Sequence, residues 1–265
     1  MQPFWRLIID GVGSGYYNMA VDEALLIHYR SQRIPTLRIY GWNKPCLSLG
    51  YKQDPRDFLY DDCPFAFVRR MTGGAAILHD KEVTYSLICA YTDLDLPSGV
   101  KAGYRRLCSF LKDFYQHCGL KAALACEVVS NNLSAYGDVC FASWHEFDMV
   151  VEGKKIGGNA QRRQKDIIFQ QGSIPQQIDL TSMRKVLSRY DSSLSKVVAL
   201  DDLLGTNTDF LTLQHMLAES FSNCFGVKLQ TAFLSEQERQ TAQLLLRQKY
   251  SRKSWNQGYA KTSLV

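Results

Sequence analysis

Long apolar runs are missing from the sequence. No stretch of the 265 residues approaches the roughly eighteen apolar positions of a membrane span, so no membrane partner is expected. The opening MQPFWRLIIDGVG has no charged start followed by an apolar core and a small-residue cleavage site. It does not read as a signal peptide, and the expected compartment is the cytoplasm. Strong charge of either sign is missing too. Lys+Arg number 31 against 26 Asp+Glu, a net +5, too mild to indicate a nucleic-acid partner. That balance suits transient docking of acidic partners. The eight cysteines, Cys46, Cys63, Cys89, Cys108, Cys118, Cys126, Cys140 and Cys224, contain no C-x-x-C pair. A zinc ribbon or redox dithiol is therefore not expected, and most of these thiols should be small core hydrophobes. The glycines at 11, 13 and 15 do not meet the spacing of a dinucleotide fingerprint. Internal repeats, low-complexity segments and long linkers are absent as well.

What is present is ordinary for a globular chain: 46% hydrophobic and 22% charged residues. The simplest layout is a single domain over 1–265 whose part beyond about residue 180 is helical. Strands are expected at Phe4–Ile9, Thr36–Tyr40, Cys46–Gly50, Phe65–Arg70, Lys81–Ala90, Leu120–Val129 and Ile167–Gln170. Asn18 reads as the cap of a first helix, with Asp22 and Glu23 in its first turns. Apolar residues recurring at three and four predict one helix over Val100–Cys118, stopped by Gly119. Further helices are expected over Leu180–Ser188 and Thr212–Phe225, and from the capping box at Ser235 to about Tyr250. Strands mixed with helices and joined by short turns predict an α+β fold, a mixed sheet with packed helices.

Two stretches carry candidate chemistry. In Arg69-Arg70-Met71-Thr72-Gly73-Gly74-Ala75-Ala76-Ile77-Leu78-His79-Asp80, residues without bulk would let a backbone approach a ligand, and successive N–H groups could cradle an oxyanion. The same letters also describe a tight turn with solvated arginines. Further on, Cys140 and Lys155 lie fifteen residues apart on what reads as two arms of a hairpin turning at Glu152-Gly153-Lys154. A thiol and a cation brought together there would make an acyl-transfer site. A core thiol and a solvated turn lysine are the plain alternative.

Four segments, NMAVDEALL, RIYGWNKPCLSLGYKQ, RRMTGGAAILHDKEVTYSL and VCFASWHEFDMVVEGKKIGGNAQRR, together resemble the biotin/lipoate protein ligase superfamily, and within it the LipM-type octanoyltransferases. The likeness runs from about Trp5 to Trp255. It implies a curved mixed sheet flanked by helices. It implies that Cys140 is the acyl-thioester nucleophile and that Lys155 lies near it and lowers its pKa. Arg70, Gly73, Gly74, Ala75, His79 and Gly158 would be substrate-binding. No cofactor and no metal are expected. The partners implied are octanoyl-acyl carrier protein as donor and lipoyl-domain proteins as acceptors, namely the glycine cleavage H protein and 2-oxo acid dehydrogenase acyltransferase subunits. The sequence departs from the family pattern at three places: Ala75 stands for a third glycine or a larger polar residue, Trp144-His145 for Pro-Ser, and Gln171 for a histidine.

The implied chemistry is self-consistent. A free thiol with a pKa near ~8.5 is only partly ionised at neutral pH, and a neighbouring ammonium raises the thiolate fraction. Burial of an eight-carbon chain is worth on the order of 5 kcal/mol, enough to select for length. His79 and His145 are alternative bases, ranked below Lys155. Competing readings on the same scaffold are an ATP-dependent lipoate-protein ligase, a lipoyl-domain amidotransferase and a non-catalytic lipoyl-domain binding protein. Cys140 argues against the ligase, and the His79-Asp80 and Thr84-Tyr85-Ser86 pattern favours the octanoyltransferase over the amidotransferase.

Overall fold

The computed structural model describes residues 4–57, 63–128, 145–186 and 196–258. The chain begins β1 (Phe4–Gly13), α1 (Gly15–Gln32), β2 (Thr36–Trp42), β3 (Cys46–Leu49), β4 (Ala66–Arg69), β5 (Ile77–His79) and β6 (Glu82–Ala90). It continues α2 (Val100–Leu107), α3 (Ser109–His117), β7 (Ala123–Leu124), α4 (Ala125–Val128), β8 (Met149–Val151), β9 (Lys154–Gln164) and β10 (Ile167–Pro175). It ends α5 (Leu180–Val186), α6 (Leu200–Leu204), α7 (Phe210–Phe225), β11 (Lys228–Thr231), α8 (Glu236–Leu245) and α9 (Lys253–Gln257).

Eight strands form one mixed sheet in the order β11-β1-β2-β6-β10-β9-β8-β7, and β4-β3-β5 form a smaller one. Pairing is parallel between β1 and both its neighbours and antiparallel from β2 onward. Side chains alternate across a strand, so β6 feeds two cores. Val83, Tyr85, Leu87 and Cys89 face a core shared with Phe110 and Phe114 of α3 and Leu217 and Phe221 of α7. Ile88 and Ala90 join the opposite core with Val21, Leu25 and Leu26 of α1 and Ala242 of α8. The small sheet packs Leu47, Leu49 and Ile77 against Met183 of α5. Between the sheets, Met19, Tyr40, Trp42, Cys46, Val68 and Tyr250 form a fourth cluster.

Several expectations are corrected. Helix α1 starts at Gly15, and its cap is Ser14, which lies four residues before Asn18 and accepts from the Tyr17 N–H. Asn18 turns inward instead, donating to Gly41 O at 3.0 Å. The helix expected over Val100–Cys118 breaks at Cys108 into α2 and α3. The strand expected over Leu120–Val129 is a two-residue strand followed by a helical turn. Strand β10 runs on through Pro175, because its polar residues find buried partners. The C-terminal part is not purely helical, since β11 forms the sheet edge beside β1. The hairpin turn is where it was expected. Glu152 (φ 50°) and Gly153 (φ 73°) supply the two left-handed residues that such a two-residue turn requires. No helix among the described residues is long and apolar enough to cross a membrane.

Candidate active site

A cavity partly open to solvent lies where the two sheets meet. Its wall includes Met19, Tyr40, Trp42 and Ile77 on the apolar side and Ser48, Arg70, His79 and Gln171 on the polar side. Strand β9 closes it with Gly158, Asn159 and Ala160, and the loop after β4 contributes Gly74 and Ala75.

Arg70 and Arg69 are both buried, against the solvated alternative. Arg70 clamps the glycine loop. It donates to the carbonyls of Gly73 (2.7 Å) and Ala75 (2.9 Å), and to Ser48 through both its carbonyl (2.8 Å) and its hydroxyl (3.1 Å). A guanidinium suits this task because its planar fork can satisfy several buried carbonyls at once. Gly74 needs to be glycine: its φ is +86°, and a Cβ there would lie 3.0 Å from Arg70 Nη2. Gly73 lines a neighbouring surface groove and not this cavity.

His79 is held on three sides. Its ring stacks on Trp42 with centroids 3.9 Å apart and 7° between planes. Nε2 lies 2.7 Å from Ser48 Oγ, and Nδ1 lies 2.7 Å from Glu82 Oε1. Burial would raise the Glu82 pKa, but the charge of His79 and hydrogen bonds from His79, Thr84 and Ser173 outweigh it and hold the carboxyl below its ordinary value. An ionised carboxylate only accepts, so Nδ1 of His79 carries a proton toward Glu82. Trp42 is fixed in turn by its Nε1–H donating to Thr84 Oγ1 at 2.8 Å.

A second relay supports the cavity from below. Thr72 donates to Gln171 Oε1 (3.0 Å), and Gln171 Nε2 donates to Asp22 (2.7 Å). Asp22 is buried and also accepts from Arg38, Tyr40 and Ser86. Asp22 was expected as a first-turn helix charge, yet it is the anchor of this network.

Lys155 is fully buried and does not line the cavity. Its ammonium lies 2.6 Å from the carboxylate of buried Asp148. Asp148 Oδ2 also accepts the backbone N–H of His145 at 2.7 Å. His145 lines the cavity, and its buried Nε2 has no hydrogen-bond partner. His145 thus joins the ion pair to the cavity wall. Cys140 lies outside the described residues. The geometry therefore brings Arg70, Gly74, Ala75, His79 and Gly158 together around one cavity. Lys155 stands on the same strand as Gly158, three residues before it. Sequence reasoning missed Trp42, Ser48, Glu82 and Asp148. Only Glu82 left a usable signal, an acid three residues after His79. Among the described residues no group of three His, Cys, Asp or Glu could hold a metal ion.

Solved structures share this architecture. Lipoate-protein ligase A bound with ATP matches at a TM-score of 0.81 with 22% identity, covering 98% of this chain and 100% of that one. A bi-partite lipoate protein ligase from Thermoplasma acidophilum matches at 0.80 with 20% identity, covering 98% and 99%. At those identities the likeness establishes the fold of a lipoate-ligase-type catalytic domain. The Lipoyl protein ligase A/B catalytic domain model matches residues 14–222. Octanoyltransferase LipM of Kyrpidia tusciae is 38% identical over 95% of this chain and 98% of its own length, and that of Bacillus anthracis 36% over 95% and 97%. The chain belongs to the lipoyl protein ligase A/B catalytic-domain family and is an acyltransferase of its LipM-type octanoyltransferase branch.

Proposed function

We propose that this octanoyltransferase works in two half-reactions through a thioester on Cys140. In the first, the Cys140 thiolate attacks the carbonyl of octanoyl-acyl carrier protein. The new S–C bond forms, the carrier's C–S bond breaks, and the carrier thiolate leaves and takes up a proton. In the second, a lysine amine of a lipoyl domain attacks the octanoyl-cysteine. The amide C–N bond forms, the cysteine thiolate leaves, and the amine's proton passes to a base. The first exchange is close to energetically even. The second is downhill, because an amide replaces a thioester.

The observation that carries this reading is strand β9, which supplies both the Lys155 ammonium and, at Gly158–Ala160, one wall of the cavity. A chain bound in the cavity would have its reacting end near the Lys155–Asp148 pair, where a buried ammonium favours a thiolate and a developing oxyanion. Arg70, Gly74, Ala75, His79 and Gly158 then shape the acyl site and do not act on the bond, and Gly73 lines the groove beside it. His145, with its Nε2 unpaired, is the base best placed to take the proton of the amine. The same account gives the protein a cytoplasmic place, no cofactor, and a single domain over 1–265. The glycine cleavage H protein and the acyltransferase subunits of 2-oxo acid dehydrogenases are the acceptors.

The test is transfer from octanoyl-acyl carrier protein to a lipoyl domain, with and without ATP, by the protein and by Cys140→Ala. Transfer without ATP that disappears in the variant is expected. An absolute need for ATP would hand the reaction to a ligase mechanism, and a variant still active without ATP would contradict the Cys140 thioester.

A further inference from the structure

A second concavity begins where the first ends. It is a surface groove lined by Tyr51, Gln53, Met71, the Gly73–Gly74 loop and the far half of β9 with the turn that follows it. Gly74 lines both spaces, and β9 passes from the cavity wall at Gly158–Ala160 to the groove wall at Gln161–Gln164. Beside Gly74 the cavity wall is close, since a Cβ built there would lie 3.8 Å from the Ala160 methyl.

The groove concentrates charge. Arg30, Arg33, Lys52, Arg162, Arg163 and Lys165 line it against one carboxylate, Asp166. That local excess equals the net +5 of the whole chain, so the other residues sum to no net charge. Several of the cations are fixed by neutral groups, which position the charge without cancelling it. Arg30 donates to Gln164 Oε1; Arg163 donates to Gln161, Tyr91 Oη and Val100 O; Arg162 lies over the Tyr51 ring. Arg33 alone pairs with Asp166, at 2.6 Å in an exposed bridge of little energetic weight. Ordered, uncompensated cations in a concavity raise the local concentration of an anionic partner and its association rate.

We propose that this groove docks the acidic surface of the acyl donor, a carrier protein whose acyl group travels on a phosphodiester-linked arm. The inference rests on the octanoyl-transfer reading above. Continuity selects the occupant: the arm's phosphodiester meets the arginines while its acyl end passes the Gly73–Gly74 loop into the cavity. The acceptor lysine offers no phosphodiester to these six cations, so the charge favours the donor.

The experiment compares wild type with Arg30→Glu/Arg162→Glu, neither residue belonging to the acyl site. Acyl-enzyme formation is followed by intact mass with octanoyl-acyl carrier protein and with octanoyl-N-acetylcysteamine, a small uncharged thioester. Binding of fluorescently labelled carrier protein is measured alongside by anisotropy. The expected result is acylation by the carrier slowed at least about tenfold, equally weakened carrier binding, and an unchanged rate with the small thioester. Wild-type acylation by the carrier should also slow with added salt, as screening predicts. Unchanged carrier binding overturns the proposal. So does a defect confined to transfer onto the lipoyl domain. If wild type gives no adduct with either donor, the octanoyl-transfer reading fails, and the anisotropy comparison still decides whether the groove binds the carrier.

Discussion

Asp148 holds the Lys155 ammonium at 2.6 Å with both side chains almost wholly out of solvent. Asp148 is an alternate residue just ahead of strand β8, and Lys155 is the second residue of β9, so the hairpin itself sets the pair. Breaking a buried pair from one side costs more than the pair contributes, because a charge is left behind in low dielectric. Asp148→Asn should lower unfolding stability by about 3 kcal/mol in urea titration. A change below about 0.5 kcal/mol would mean the pair is structurally neutral.

Glu82 gives the stability a pH dependence of known sign. Its folded-state pKa lies below the ordinary 4.5, so its contribution is complete above that value and is lost as pH falls through the folded pKa. Glu82→Gln should cost about 3 kcal/mol at neutral pH, and the gap to wild type should narrow below about pH 4.5. Urea titrations at several acidic pH values check this. A gap that stays constant on acidification would contradict the assignment of an ionised Glu82.

Cysteine reactivity should divide sharply. Burial pushes Cys46 up to about 12 and raises Cys89 and Cys108 well above the ordinary thiol value. Cys118 is pushed up to about 11 by the same cause. Native alkylation with iodoacetamide at neutral pH, mapped by peptide mass, should leave these four unmodified while Cys140 reacts first. Labelling of Cys46 or Cys108 ahead of Cys140 would contradict the account.

The backbone at Gly74 should tolerate no side chain. Its φ of +86° and the 3.0 Å approach to Arg70 predict that Gly74→Val lowers the melting temperature and slows acylation by about tenfold or more. Gly73→Val is the matched control, since a Cβ there meets nothing within 4 Å. Equal effects of the two substitutions would show that loop flexibility, not this contact, is what matters.

Much of the fold was legible because periodicity survives in the sequence. β6 alternates cleanly, and the Ser235 box caps α8 as its letters say. Polar residues with buried partners defeated the same reading. Gln170, Gln171 and Ser173 make β10 look like a loop after Gln170, yet each is satisfied inside. Asn18 looked like a cap because its inward bond to Gly41 joins residues far apart in sequence. At the site, the motif pointed to Arg70, Gly74, Ala75, His79 and Gly158, which gather at one cavity. Their supports escaped, because Trp42, Ser48 and Asp148 become partners only once strands are paired. Lys155 was weighed as a solvated turn lysine, yet its neighbours bury it.

The central claim is that Cys140 carries the octanoyl group. Incubation with octanoyl-acyl carrier protein followed by intact-mass analysis tests it directly. The account predicts a single adduct of one octanoyl group, mapped to the Cys140 peptide, removed by hydroxylamine and missing in Cys140→Ala. An adduct that persists in Cys140→Ala, or that maps to Lys155 as a hydroxylamine-stable amide, would contradict it.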